Sequence, residues 1–322
     1  MKIYRSLAEV PADFGPSALS VGNFDGVHFG HRRILRRVKA IADENGWKPS
    51  ALTFDPHPTR VVAPQRTPPL MTSPARRAQL MQDEGIEQVL ILPFTRELAS
   101  FEPADFVRQL LVERLGTRAV LVGDNFRFGH RHAGNVTLLA ELGRELGFKT
   151  EVIAAVKCRG RIVSSSGIRE LLRSGRVSVA ARLLERPYGL EGEVVSGRGI
   201  GSKQTVPTLN LATTAEVIPA TGVYVTRTRD LDTPRVWNSI TNIGYRPTFG
   251  ASDQLSIETF LLSPLEGRDL QRIRVEFLWR VRDERPFPDS AALRVQILKD
   301  VQTAQRYFRR AKAWTGTACI SC

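Results

Sequence analysis

The chain is 322 residues long, enough for two domains or one large one. At 42% hydrophobic and 25% charged it has an ordinary globular composition, and its apolar runs, such as 89–92 ending at Pro93, are far too short to span a membrane. The formal charge of +13 invites a nucleic-acid partner, yet the cations are scattered and only eight of the 46 are lysines, so small phosphate-bearing ligands account for the surplus.

The N-terminal residues run from Met1 into Glu9 and Pro11 without an apolar signal core, so a cytoplasmic location is expected. The apolar run 18–21 reads as a strand and opens into Gly22-Asn23-Phe24-Asp25-Gly26-Val27-His28-Phe29-Gly30-His31. Glycines let the backbone approach an anion, and a helix N-terminus offers unpaired N–H groups with a partial positive charge. His28 and His31, three apart, can donate hydrogen bonds to phosphoryl oxygens as charge develops there. The following helix sets Ile34, Leu35, Val38, Ile41 and Ala42 on one face and ends at Asn45-Gly46.

A strand at 51–54 leads into Asp55-Pro56-His57-Pro58. Ser73-Pro74 then starts a helix that Gly85 closes, and a strand at 88–92 follows. Pro103 starts another helix, with Phe106, Val107, Leu110 and Leu111 inward, stopping near Gly116. The strand 119–122 reaches Gly123-Asp124-Asn125-Phe126-Arg127-Phe128-Gly129, where Asn125 can read a base or ribose and Phe128 can wall an aromatic pocket. A helix near 136–146 and a strand near 150–155 complete an α/β pattern with a parallel sheet, whose ligands sit beyond the carboxyl ends of the strands. In Arg161-Ile162-Val163-Ser164-Ser165-Ser166-Gly167-Ile168-Arg169, hydroxyls at a helix start can bind phosphate oxygens, and Ser166 and Arg169 stand one turn apart.

Around Arg186-Pro187 the pattern changes. Two short helical stretches give way to strands at 193–196, 221–228, 236–241, 255–262 and 272–281, which suggest a small antiparallel barrel. Gly197-Arg198-Gly199-Ile200-Gly201 and then Pro207-Thr208-Leu209-Asn210 read as a Gly-rich turn between barrel strands, and match neither a P-loop nor a dinucleotide fingerprint. Alternation puts Leu255, Ile257 and Leu261 on one face and Glu258 on the other with Phe260 and Leu262. A carboxylate there either accepts a proton from an alcohol or pairs with an arginine such as Arg274 or Arg282. A last helix from about Asp289 carries Leu293, Ile297, Val301, Ala304 and Phe308 on one stripe, and residues past about Arg310 read as a tail. Three cysteines make no disulfide framework, and Cys319 and Cys322 read as exposed thiols of that tail. The domains expected are 1–186 and 187–310, with the tail at 311–322.

His28-Phe29-Gly30-His31 resembles the HxGH signature of nucleotidylyltransferases. Together with the serine motif, Asp55 to Pro58 and Gly123 to Phe126, it resembles the N-terminal module of bacterial bifunctional riboflavin kinase/FAD synthetases. That resemblance implies an α/β fold: a Rossmann-like nucleotidylyltransferase sheet followed by a small antiparallel β-barrel with a terminal helix. It implies that FMN attacks the α-phosphate of ATP and pyrophosphate leaves, with His28, His31, Arg161 and Arg169 catalytic beside Mg²⁺. Gly22, Phe24, Asp25, Gly26, Asn125, Ser164, Ser165 and Ser166 would bind nucleotide, and Phe54, Pro56 and Phe128 flavin. Ser166 stands where the family usually has Thr.

In the second half, Pro207 to Asn210, Asn242 to Phe249, Glu258 and Arg282 to Glu284 are similar to the riboflavin kinase module. The resemblance implies that Thr208 and Asn210 hold Mg²⁺, that Gly197 and Gly201 bind nucleotide, and that Glu258 deprotonates the riboflavin 5′-hydroxyl. Departures are Ser202, Thr205 and Val206 before the Pro-Thr element, Phe260 in place of a His, and Ser263-Pro264 in place of Asp-Phe. The expected ligands are ATP, riboflavin, FMN and FAD, with no membrane or nucleic-acid partner and a monomer or weak homo-oligomer. Two other readings stay open: a nucleotidylyltransferase for another phosphorylated acceptor with the barrel as a flavin sensor, and a nucleic-acid-binding or flavin-responsive regulator using the basic surface.

Overall fold

Six strands of the first half form one parallel sheet: β1 (Lys2–Tyr4), β2 (Ser17–Val21), β3 (Lys48–Phe54), β4 (Gln88–Leu92), β5 (Thr117–Gly123) and β6 (Lys149–Ile153), in the order β1-β4-β3-β2-β5-β6. β2 and β4 are buried at every position, because helices cover both faces of such a sheet. The helices are α1 (Phe29–Asn45), α2 (Pro58–Val62), α3 (Pro74–Gln82), α4 (Arg96–Ala99), α5 (Pro103–Asp105) and α6 (Val136–Leu146). On one face Leu19, Leu52, Leu90 and Val120 pack with Phe106, Leu110 and Leu139. On the other, Ala18, Ala51, Val89 and Leu121 pack with Ile34, Leu35, Val38 and Met81. From β2 the chain builds outward through β3 and β4, then returns to add β5 and β6 on the other side. The reversal lies between β2 and β5, which is where an open α/β sheet forms its ligand crevice.

The structure, a computed structural model, describes residues 1–195, 208–246, 254–265 and 269–314. By contacts the chain divides into the units Met1–Ser165 and Ser166–Cys322. The second begins with most of α7 (Ser165–Arg173) and with α8 (Val177–Leu184), which contacts β9 (Tyr188–Val195) and β14 (Arg272–Arg282). With β10 (Thr208–Ala212), β11 (Gly222–Asp230), β12 (Val236–Arg246) and β13 (Gln254–Leu261), these strands close an antiparallel barrel in the order β10-β13-β12-β11-β14-β9. A Cβ at Gly192 would overlap the Ala212 carbonyl, so β9 and β10 approach closely enough to pair only because that position is glycine. One face of β11–β13 carries a buried hydroxyl ladder, Thr228–Ser239–Thr226–Thr241–Thr259, linked at 2.8–2.9 Å. The other face sets Val223, Val225 and Ile240 against Ala304 and Phe308 of α9 (Ser290–Trp314).

Several expectations change. Thr208–Ala212, read as part of a turn, is strand β10, because barrel closure supplies partners on both sides that no local pattern announces. The helix after Pro103 continues as a π-helix over Phe106–Arg114, with Leu115 N–H bonded to the Leu110 carbonyl at 3.1 Å. The stripe on α9 splits: Ala304 and Phe308 are buried, whereas Leu293 and Ile297 are each 41% exposed. That helix also runs on to Trp314, past the end expected near Arg310. Gly197, Gly201, Ser202, Thr205, Val206, the stretch 247–249, Cys319 and Cys322 lie outside the described residues.

Candidate active sites

In the first unit, β2 ends at Val21 and the chain turns through 22–28 into α1. The turn is tight, with the Val27 N–H bonded to the Phe24 carbonyl at 3.0 Å. Phe24 (φ 49°) and Val27 (φ 37°) both adopt left-handed backbone, which costs a non-glycine residue about 1–3 kcal/mol each. A clamp holds that strain in place. The buried Asp25 carboxylate accepts from the Met71 N–H at 2.9 and 3.1 Å, and from the Thr72 N–H and hydroxyl, each at 3.1 Å. The Thr72 hydroxyl oxygen in turn accepts from the Gly26 N–H at 3.0 Å. Asp25 thus directs its carboxylate to the Met71-Thr72 backbone, and Phe24 is buried beside it.

His28 caps α1, its Nδ1 accepting from the His31 N–H at 3.4 Å. An Nδ1 that accepts leaves the proton of the neutral ring on Nε2. The two imidazoles stack, centroids 3.7 Å apart and 14° from parallel, and the Phe24 ring meets His31 edge-on at 5.3 Å. Gly30 gives the His28 ring room, since a Cβ there would lie 3.2 Å from Cε1 and 3.3 Å from Nδ1 of His28.

Asn125 follows β5, the strand next to β2, and is exposed; its Oδ1 lies over Gly123. Phe128 is buried, stacked on Phe126 at 5.4 Å and tilted against Phe106 at 5.9 Å, so the half-buried Phe126 presents the accessible side of the pair. Phe54 closes β3 edge-on to Phe94 at 5.4 Å, with Pro56 half-buried just beyond. Arg161 is exposed on β8 (Arg161–Ile162), which pairs with β7 (Lys157–Cys158). Ser164 is half-buried, and the Ser165 hydroxyl donates to the Asp25 carbonyl at 2.9 Å, joining the serine segment to the histidine turn. Ser166 is exposed and Arg169 buried, both on α7 in the second unit.

In the barrel, the register places Glu258 of β13 opposite Asn210 of β10 on one side and Asn242 of β12 on the other. Directly opposed residues share a face, so acid and amides form one row. Thr208 lies two residues from Asn210 on that face, opposite Phe260. Ser256 donates to Oε1 of Glu258 at 3.0 Å. Arg274 forms its ion pairs with Glu191 and Glu276, and Arg282 with Asp300 at 2.8 Å. A Cβ at Gly244 would overlap the Glu284 carboxylate, so that acid also lies against β12.

Sequence reasoning assigned no role to Asn242, Ser256 or the Asp25–Thr72 clamp. Asn242 shows only once the strand register is known, whereas Ser256 is two residues from Glu258 on the same strand and follows from the alternation already used for Glu258. The clamp had a local signal, an Asp between two tight-turn residues, but its partners come from more than forty residues away.

A family model for FAD synthetase matches residues 10–167, and one for riboflavin kinase matches residues 184–308. A bifunctional riboflavin kinase/FMN adenylyltransferase from Pseudomonas fluorescens is 33% identical over 305 residues, 95% of this chain and 97% of that relative. One of the same description from Escherichia coli K12 is 30% identical over 318 residues, 97% of this chain and 99% of that one. The fold is shared, at TM-score 0.82 and 23% identity, with a Streptococcus pneumoniae structure described as a macrolide-efflux protein, over 94% of this chain and 98% of the other. A likeness at that identity speaks to fold alone. Two family matches in tandem, and relatives aligned from end to end, mean that the chain belongs to the bifunctional riboflavin kinase/FMN adenylyltransferase family.

Proposed function

We propose that the barrel phosphorylates riboflavin to FMN and that the parallel-sheet module, residues 1–186, adenylylates FMN to FAD. For the second step the carrying observation is the stacked His28–His31 pair at the mouth of α1. A phosphate oxygen of FMN attacks Pα of ATP, a new P–O–P bond forms, and the bond from Pα to the bridging oxygen breaks to release pyrophosphate. The nucleophile is already anionic, so no strong base is needed and catalysis is positioning with charge stabilisation. His28 donates from Nε2 to the phosphoryl oxygens, and His31 supports it from the stacked position. Arg161 and the hydroxyls of Ser164 and Ser165 receive the β- and γ-phosphates. Asn125 and the Gly22–Gly26 backbone take the nucleoside end, and Phe54, Pro56 and the Phe126–Phe128 pair take the flavin.

In the barrel the carrying observation is Glu258 between Asn210 and Asn242. The riboflavin 5′-hydroxyl attacks Pγ, its proton passes to Glu258, and ADP leaves. Thr208 and Asn210 present hard oxygen donors of the kind Mg²⁺ takes. Bound there, the ion would neutralise phosphate charge, while Asn210 and Thr208 orient the γ-phosphate toward the hydroxyl. We place the enzyme in the cytoplasm, as a monomer or weak homo-oligomer acting on small molecules. The test is chromatography of riboflavin, FMN and FAD after incubation with ATP and Mg²⁺. FMN should form first and FAD second with pyrophosphate, and the absence of both products above background would reject the reading.

A further inference from the structure

Arg77 belongs to α3, on the side of the helix that also buries Ala78, Leu80 and Met81. Its side chain is 1% exposed. Nη1 donates to the Thr53 hydroxyl oxygen at 2.9 Å and to the Phe54 carbonyl at 3.2 Å, both at the carboxyl end of β3. The Thr53 hydroxyl donates its own hydrogen to the Asn23 carbonyl at 3.2 Å. The guanidinium is therefore linked to the turn that ends in His28 by two hydrogen bonds in series, through the Thr53 hydroxyl. Its Nε is buried and has no hydrogen-bond partner among the described residues. Burial pushes its pKa down, while the charges of Asp25 and Asp55 act to raise it. Asp25 is the residue that clamps the same turn.

A cation taken out of water is costly, and an apolar side chain of similar volume often packs as well or better in its place. Stability alone therefore does not account for a guanidinium here. Its location does, because it bonds the carboxyl end of β3 and, through Thr53, ties that end to the turn before His28. We propose that Arg77 is a positioning residue for adenylyl transfer: through Thr53 it holds Asn23, and with it the strained turn that aims His28. The proposal rests on the adenylyl-transfer reading of the His28 site.

The test uses the full chain, with Arg77→Met, Arg77→Lys, Thr53→Val and, alongside, His28→Ala. FAD formation from FMN, FMN formation from riboflavin and thermal unfolding are measured for each. In Arg77→Met, kcat for FAD formation should fall about 10- to 100-fold with KM for ATP and FMN within about twofold, since a misplaced group loses rate rather than binding. FMN formation should be unchanged. Arg77→Lys, which keeps the charge and loses the planar fork, should recover part of the loss. Thr53→Val removes only the linking hydroxyl and should lower the same kcat about fivefold or more, deciding the matter if Arg77→Met does not fold. A wild-type kcat in Thr53→Val, or in a folded Arg77→Met, overturns the positioning role. If His28→Ala still makes FAD, the adenylyl-transfer reading itself fails. If His28→Ala is inactive while Arg77→Met is unimpaired, only the role of Arg77 fails.

Discussion

His31 donates its backbone N–H to Nδ1 of His28 across 3.4 Å while the two imidazoles lie 3.7 Å apart in a stack. One residue thus sets both the tautomer and the orientation of the other. A helix cap, ordinarily a device of stability, here also settles which ring nitrogen of His28 carries the proton.

Removing that proton should cost the second reaction alone. His28→Ala is expected to lower kcat for FAD formation about 100- to 1,000-fold, the loss typical of one preorganised donor. FMN formation should stay at the wild-type rate, because Glu258 and Asn210 are in the barrel. Product ratios from riboflavin and ATP will show FMN accumulating without conversion.

Gly30→Ala tests the stack without touching an imidazole. The added Cβ would meet His28 at 3.2–3.3 Å, so the ring must give by a few tenths of an ångström. We expect FAD formation to fall about tenfold with stability nearly unchanged, because alanine suits a helix and displacement of a catalytic group loses rate. Paired activity and thermal-unfolding measurements will separate the two effects.

Glu258→Gln should produce the reverse phenotype. The amide keeps the shape of the row between Asn210 and Asn242 but cannot take the hydroxyl proton. A loss of about 100- to 10,000-fold in FMN formation is expected, the range for a positioned general base. FAD formation from supplied FMN should be unaffected. Equal loss of both reactions in this variant would reject the division of labour.

Asp300→Ala addresses how α9 is held on the barrel. Asp300 accepts from Nε and Nη2 of Arg282 at 3.0 and 2.8 Å, and the aspartate is nearly buried. Losing it should destabilise the barrel unit by about 2 kcal/mol, less than a fully buried pair because part of Arg282 remains in water. Denaturant unfolding followed through tryptophan fluorescence will read the change.

Much of the fold was legible because it is written in local periodicity. The apolar face of α1 and its glycine stop follow from spacing, and the structure buries the same five side chains that the pattern selects. Ser73-Pro74 likewise opens α3 with the expected side-chain cap. Alternation separated Glu258 from Ile257 and Leu261 without any knowledge of neighbouring strands. Strand β10 was missed because its identity lies in its partners: five residues after a glycine-rich stretch become a strand only when β9 and β13 flank them. The α9 stripe was read as uniformly inward because periodicity defines a face but not how far along the helix the barrel reaches.

By itself, then, the sequence determined the two kinds of architecture and the chemical types at each site, since hydrophobic period, turn residues and short motifs act between near neighbours. Tertiary structure alone decided that Asn242 stands beside Glu258, that Asp25 clamps Met71 and Thr72, and that Arg77 is buried against the carboxyl end of β3. Those relationships join segments far apart in the chain. They depend on strand register and on which helix face the sheet covers, and neither is encoded in any single stretch of residues.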